Sequence, residues 1–170
     1  METEEKNPNK PRIKLARDKA RKILDQCKIS SYPILLREIS SQIEGLRVDG
    51  KEFENGISGV HLMHEGTIFI AYNKKHPKVR NRFTIAHELG HALMRHTIDF
   101  SPMDLDSKDY KEAEANQFAA ELLMPLKMLK KAIEKSKTVD KLAFDFWVSK
   151  KAMGWRVMNT GLFKFLSSWT

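Results

Sequence analysis

A chain of 170 residues is long enough for a domain with its own core, and its 41% apolar and 31% charged content is that of an ordinary soluble globular protein. Lysine and arginine (30) outnumber aspartate and glutamate (22), for a net charge of +8 at pH 7. No apolar run approaches the roughly 18 residues a membrane span needs, and the charged, mixed-sign start lacks the apolar stretch of a signal peptide.

The lone Cys27 excludes an internal disulfide framework and suits a reducing compartment, so the expected location is cytoplasmic. The thiol itself reads as a small core residue on a helix. Basic residues gather at 10–22, 74–82 and 127–151, while 99–121 is acidic. Without interleaved aromatics these basic stretches read as solvated faces, so specific nucleic-acid binding is not expected.

In chain order, residues 1–10 read as a disordered tail. Ile13, Ala16, Ala20, Ile23 and Leu24 then recur at helical spacing. Pro33 is suited to opening a second helix with Leu35, Leu36, Ile39 and Ile43 on its apolar stripe, and Gly45 to ending it. A β region follows: Ile57, Val60 and Leu62 in one run, a turn at Glu65-Gly66, and a strand over 67–72 rich in β formers. The pattern predicts a helix over about 80–95, a surface loop over 97–109, and a helix from near Lys108 to Met124, interrupted by Pro125. Three short helices complete the chain, the last two at about 138–146 and 149–159. The fold class expected is α+β, a small mixed or antiparallel sheet packed on helices. Residues 11–136 form the main domain and 137–170 a C-terminal helical subdomain.

The decisive string is His87-Glu88-Leu89-Gly90-His91. On a helix, residues four apart project from one face, so two imidazoles can grip one cation, for which imidazole nitrogen makes zinc the natural choice. Glu88 beside the first histidine is placed as a general base, and Gly90 is read as clearing space near the metal. A catalytic zinc takes three protein ligands and keeps an open position. An extended metzincin motif is excluded, because Met94 and Thr97 stand where it requires Gly and His. Cys27 lacks the surroundings of a deformylase-like site. His96 is out of step with His91 and reads as a surface residue; His61, His64 and His76 have no metal spacing and read as solvent or strand-end residues.

The next helix offers Glu112, which shares a face with Asn116, Ala119 and Leu123, and Glu114, which shares one with Phe118 and Glu121. Glu112 is the preferred third ligand, with Asn116 hydrogen-bonding a liganding histidine. Glu114 is the runner-up, or else the partner of a nearby arginine such as Arg82.

These two segments, Arg82 to Leu93 and Glu112 to Pro125, closely resemble the ImmA/IrrE family of metallo-endopeptidases. The likeness runs from about Ile57 to Gly161. It implies a gluzincin-like core, zinc held by His87, His91 and Glu112, and catalysis by Glu88. It also implies cleavage of a regulatory protein, commonly a phage-type helix-turn-helix repressor of a mobile element or a stress regulon.

The chemistry expected is metal-assisted amide hydrolysis with Glu88 as base, the substrate backbone adding to the strand at 67–72. Tyr72 and Tyr110 are candidate oxyanion donors by sequence position alone. A rival reading takes the stretch from Leu142 to Met153 as a helix-turn-helix with Lys150, Lys151 and Arg156 on its second helix. The chain would then be a DNA- or repressor-binding module, or a toxin–antitoxin partner, with the metal core as scaffold. A buttressing hairpin fits the same pattern better, because Met153, Trp155 and Met158 leave little polar face.

Overall fold

The structure is a computed structural model that describes residues 10–54, 56–96, 105–106 and 109–167. The expected N-terminal tail and most of the loop at 97–109 lie outside the described residues.

Helix α1 (Ile13–Gln26) buries Ala16, Ala20, Ile23 and Leu24, the stripe its spacing predicts, and two alanines at four-residue spacing let it lie close to its neighbour. Cys27 is buried just past its end, and burial pushes the thiol up, away from reactivity. The second helix is shorter than expected: α2 spans only Leu36–Ser40, with Ile34 buried ahead of it and Ile39 within it. Gly45 follows at φ +75°, and a Cβ there would stand 2.9 Å from the Gly66 carbonyl oxygen, so only glycine fits.

The sheet has three strands, β1 (Leu46–Lys51), β2 (Gly59–His64) and β3 (Thr67–Asn73), in the order β1-β3-β2. Pairing is parallel between β1 and β3 and antiparallel between β2 and β3. Two expectations change here. Strand β1 was not foreseen, since Leu46-Arg47-Val48-Asp49-Gly50-Lys51 holds only two apolar residues. Strand β3 lies between two partners, so its backbone groups are already paired and it offers no edge to a substrate.

Helix α3 (Lys78–Met94) crosses beneath the sheet and packs on α4 (Tyr110–Leu123), which in turn packs on α1. Asp109 caps α4 by accepting from the backbone N–H of Lys111 and Glu112. Helix α4 is central: every residue from Glu114 to Leu123 is buried. Gly90 is the contact point of α3 and α4. A Cβ there would meet Phe118 at 3.0 Å and the Ala115 Cα at 3.2 Å, so this glycine serves helix packing rather than clearance at a metal.

Burying all sides of α4 encloses polar groups that need partners. Along its seam with α1, Arg12 meets Glu114, Arg17 meets Gln117 and Arg21 meets Glu121. Helices α5 (Leu126–Lys135), α6 (Val139–Phe146) and α7 (Lys150–Asn159) and a 3-10 turn (Leu162–Phe165) follow. Their residues Leu129, Leu142, Phe146, Met153 and Val157 join one hydrophobic cluster with those of α1, α3 and α4. Arg156 does not face solvent as a recognition helix requires. It is 0% exposed, ion-paired with Glu121 and donating to the Met124 carbonyl. Lys150 pairs with Asp140. Among the described residues no helix is long and apolar enough to cross a membrane.

Candidate metal centre

Helix α3 presents His87 and His91 one turn apart, and the first turn of α4 brings Glu112 against them. One ligand atom from each lies within 4.8 Å of the others. The His87 and His91 Nε2 atoms are 2.9 Å apart, with Glu112 Oε2 3.3 Å from the first and Oε1 3.1 Å from the second. The preference for Glu112 over Glu114 rested on the facing of α4. In the structure Glu114 points to the other side, where Arg12 takes it; Arg82 instead donates to the Trp147 and Ile34 carbonyls.

The hydrogen bonds behind the histidines show what this cluster accepts. His87 Nδ1 lies 2.9 Å from Asn116 Oδ1, an acceptor, so the ring hydrogen sits on Nδ1 and the Nε2 lone pair faces the cluster. His91 is fixed in the same sense through His96, whose Nδ1 is 2.9 Å from His91 Nδ1 and whose Nε2 is 2.9 Å from Glu114 Oε2. The Glu112 carboxyl is an anion at neutral pH, as a glutamate ordinarily is. Its buried Oε2 receives no hydrogen bond. Two lone pairs and a carboxylate thus converge with no donor among them. A cation resolves that arrangement, and two imidazoles with one carboxylate form a donor set suited to zinc.

Glu88 faces the sheet at 12% exposure, with Oε2 2.9 Å from Nδ1 of His61 on β2. His61 was expected as a solvent or strand-end residue. It is instead 4% exposed, its ring stacked on that of His91 at 5.5 Å between centroids. The strand comes this near because Gly59 has no side chain: a Cβ there would lie 2.4 Å from Thr84 Cγ2 and 3.3 Å from Glu88 Cγ. His96, expected on the surface, has its side chain only 3% exposed, between His91 and Glu114. A left-handed residue ends α3 at Arg95 and folds the chain back, so helical spacing did not apply to position 96.

Neither tyrosine reaches the cluster through any described contact. The Tyr72 hydroxyl packs over Gly50 of β1, 3.1 Å from where a Cβ would stand, on the side of β3 away from β2. Tyr110 opens α4 beside Lys111. Tyr72 lines a cleft of about 440 Å³ with Leu36, Asn81, Ile85 and Trp147, and Ile85 is one turn before Glu88 on α3.

A peptidase family model described as the IrrE N-terminal-like domain matches residues 43–158, well over half of the chain. No curated protein matches it.

Proposed function

Because the chain belongs to the ImmA/IrrE peptidase family, we propose that it is a zinc-dependent metallo-endopeptidase cutting a regulatory protein, with a helix-turn-helix repressor as the substrate class the resemblance implies. The observation that carries this reading is the donor-free convergence of His87, His91 and Glu112 beside a carboxylate held by its own partner. His87, His91 and Glu112 would hold the zinc, which when bound supplies a Lewis acid that polarises a carbonyl and acidifies water.

The protein's own groups do the rest. Glu88 takes the proton of the attacking water and returns it to the leaving amine. His61 holds Oε2 of Glu88, fixing the carboxylate plane and leaving Oε1 for the water. Asn116 fixes the His87 ring. With β3 paired on both sides, the open edge of β2 is the place for an extended substrate, because β2 also carries His61 to the base. The helical hairpin α6–α7 buttresses the core, and the burial of Arg156 argues against its use as a DNA reader.

Metal analysis and cleavage test this together. The purified protein should hold one zinc per chain, and Glu88→Gln should keep that zinc while losing cleavage by about 10²–10⁴-fold. Co-incubation with a small helix-turn-helix repressor encoded beside it should yield discrete fragments. Wild-type protein that takes up no zinc, or a Glu88→Gln variant that cleaves normally, would defeat the proposal.

A further inference from the structure

The residue that completes the metal centre from outside comes from the N-terminal segment. Arg12, at the N-cap of α1, precedes the family-matched span. It binds Glu114 three ways: its backbone N–H donates to Oε1 at 2.7 Å, its Nε to Oε1 at 2.9 Å, and its Nη2 to Oε2 at 2.7 Å. The same Nη2 reaches the carbonyl of Met94, the last residue of α3, at 3.4 Å. Glu114 is wholly buried, and its Oε2 also lies 2.9 Å from His96 Nε2.

A hydrogen placement propagates along this chain. A carboxylate held by arginine only accepts, so His96 must carry its hydrogen on Nε2. His96 Nδ1 is then an acceptor, and His91, 2.9 Å away, must present a hydrogen from Nδ1. That leaves the His91 Nε2 lone pair pointing at Glu112 and His87. Reversing either histidine would set two hydrogens or two lone pairs against each other along the chain.

We propose that Arg12, Glu114 and His96 are positioning residues that lock His91 in its metal-binding tautomer and orientation, so that the N-terminal segment is part of the metal centre. The proposal rests on the metallopeptidase reading. It differs from a merely structural role for α1, because Arg17 and Arg21 make like contacts to α4 without reaching a ligand.

The test measures zinc affinity of the full chain by competition with a chromophoric chelator, alongside urea unfolding of the metal-free protein. Arg12→Gln and His96→Phe should each raise the zinc dissociation constant about tenfold or more, as outer partners of metal ligands do. Arg21→Gln, which likewise takes an arginine from a buried carboxylate of α4, should lower metal-free stability while leaving the dissociation constant unchanged. The double variant Arg12→Gln/His96→Phe should bind no more weakly than His96→Phe alone, since both break one chain. Wild-type affinity in His96→Phe overturns the proposal even if Arg12→Gln fails to fold, and so does a double variant whose losses add. A wild-type protein that takes up no zinc would sink the metallopeptidase reading itself. Wild-type zinc binding with unaffected variants would sink only this inference.

Discussion

His61 of β2 and Glu88 of α3 are 27 positions apart in sequence and meet at 2.9 Å, with the imidazole 4% and the carboxylate 12% exposed. A strand residue therefore holds the carboxylate that is proposed as the base and that a helix presents. The contact predicts that His61→Ala keeps zinc stoichiometry and fold but lowers kcat about tenfold, with KM little changed, because a loosened base samples fewer productive orientations. Steady-state kinetics on a confirmed substrate checks it; an unchanged kcat would show that Glu88 needs no partner.

The two packing glycines should respond to alanine in one direction. In α3, Gly90→Ala gains about 1 kcal/mol of helix propensity. It also drives a methyl against Phe118 and the Ala115 backbone, which costs about 1–3 kcal/mol. The backbone atom has no rotamer to give way, so net destabilisation is expected. Gly59→Ala should do more harm, because its Cβ would stand 2.4 Å from Thr84 Cγ2 and press on Glu88. Urea unfolding of the metal-free variants measures both, and a stabilised Gly90→Ala would contradict the packing reported for α3 on α4.

Metal should stabilise the protein strongly, because the cluster gathers acceptors with no donor. Free zinc at a thousand times its dissociation constant adds about 4 kcal/mol. A chelator should therefore lower Tm by several degrees, and Glu112→Ala should abolish that difference while Glu114→Ala only reduces it. Thermal scans with and without chelator decide the order.

Acid should weaken the seam between α1, α4 and α7. Burial pushes the Glu121 carboxyl up, but Arg156 and Arg21 outweigh it, and the folded-state value is lowered. A lowered carboxyl contributes stability that is present above its unfolded value, about 4.3, and lost as pH falls through the folded one. Glu121→Gln should thus be less stable than wild type at pH 7, with a deficit that shrinks below about pH 4. At neutral pH, Arg156→Ala should cost about 3–5 kcal/mol, since it leaves Glu121 buried with only the half-exposed Arg21. Urea midpoints from pH 3 to 7 follow both effects.

What the sequence determined by itself was whatever depends on neighbours along the chain. The spacing of His87 and His91, the position of Glu88, the face shared by Glu112 and Asn116, and the stripe of α1 are set by the helical period, which is the same in any tertiary context. Two motifs in order were enough to recognise the family.

Tertiary structure alone decided what depends on register and on chain reversal. On β2, Val60 and Leu62 are apolar and alternate with His61, yet pairing of His61 with Ile70 turns His61 inward and leaves Leu62 and Phe69 on the exposed face. A strand's period of two fixes that alternate residues share a face but not which face is buried. β1 pairs in parallel with β3, a partner beyond the next strand, and its own residues carry no pattern that announces it. The left-handed turn at Arg95 and the reach of Arg12 across to Glu114 bring His96 and the N-terminal segment to the site. Partners separated by 82 to 102 positions leave no periodic trace in one sequence. The proposed ligands His87, His91 and Glu112, and Asn116 behind His87, were therefore legible from helical spacing, whereas His61, His96 and Arg12 were not.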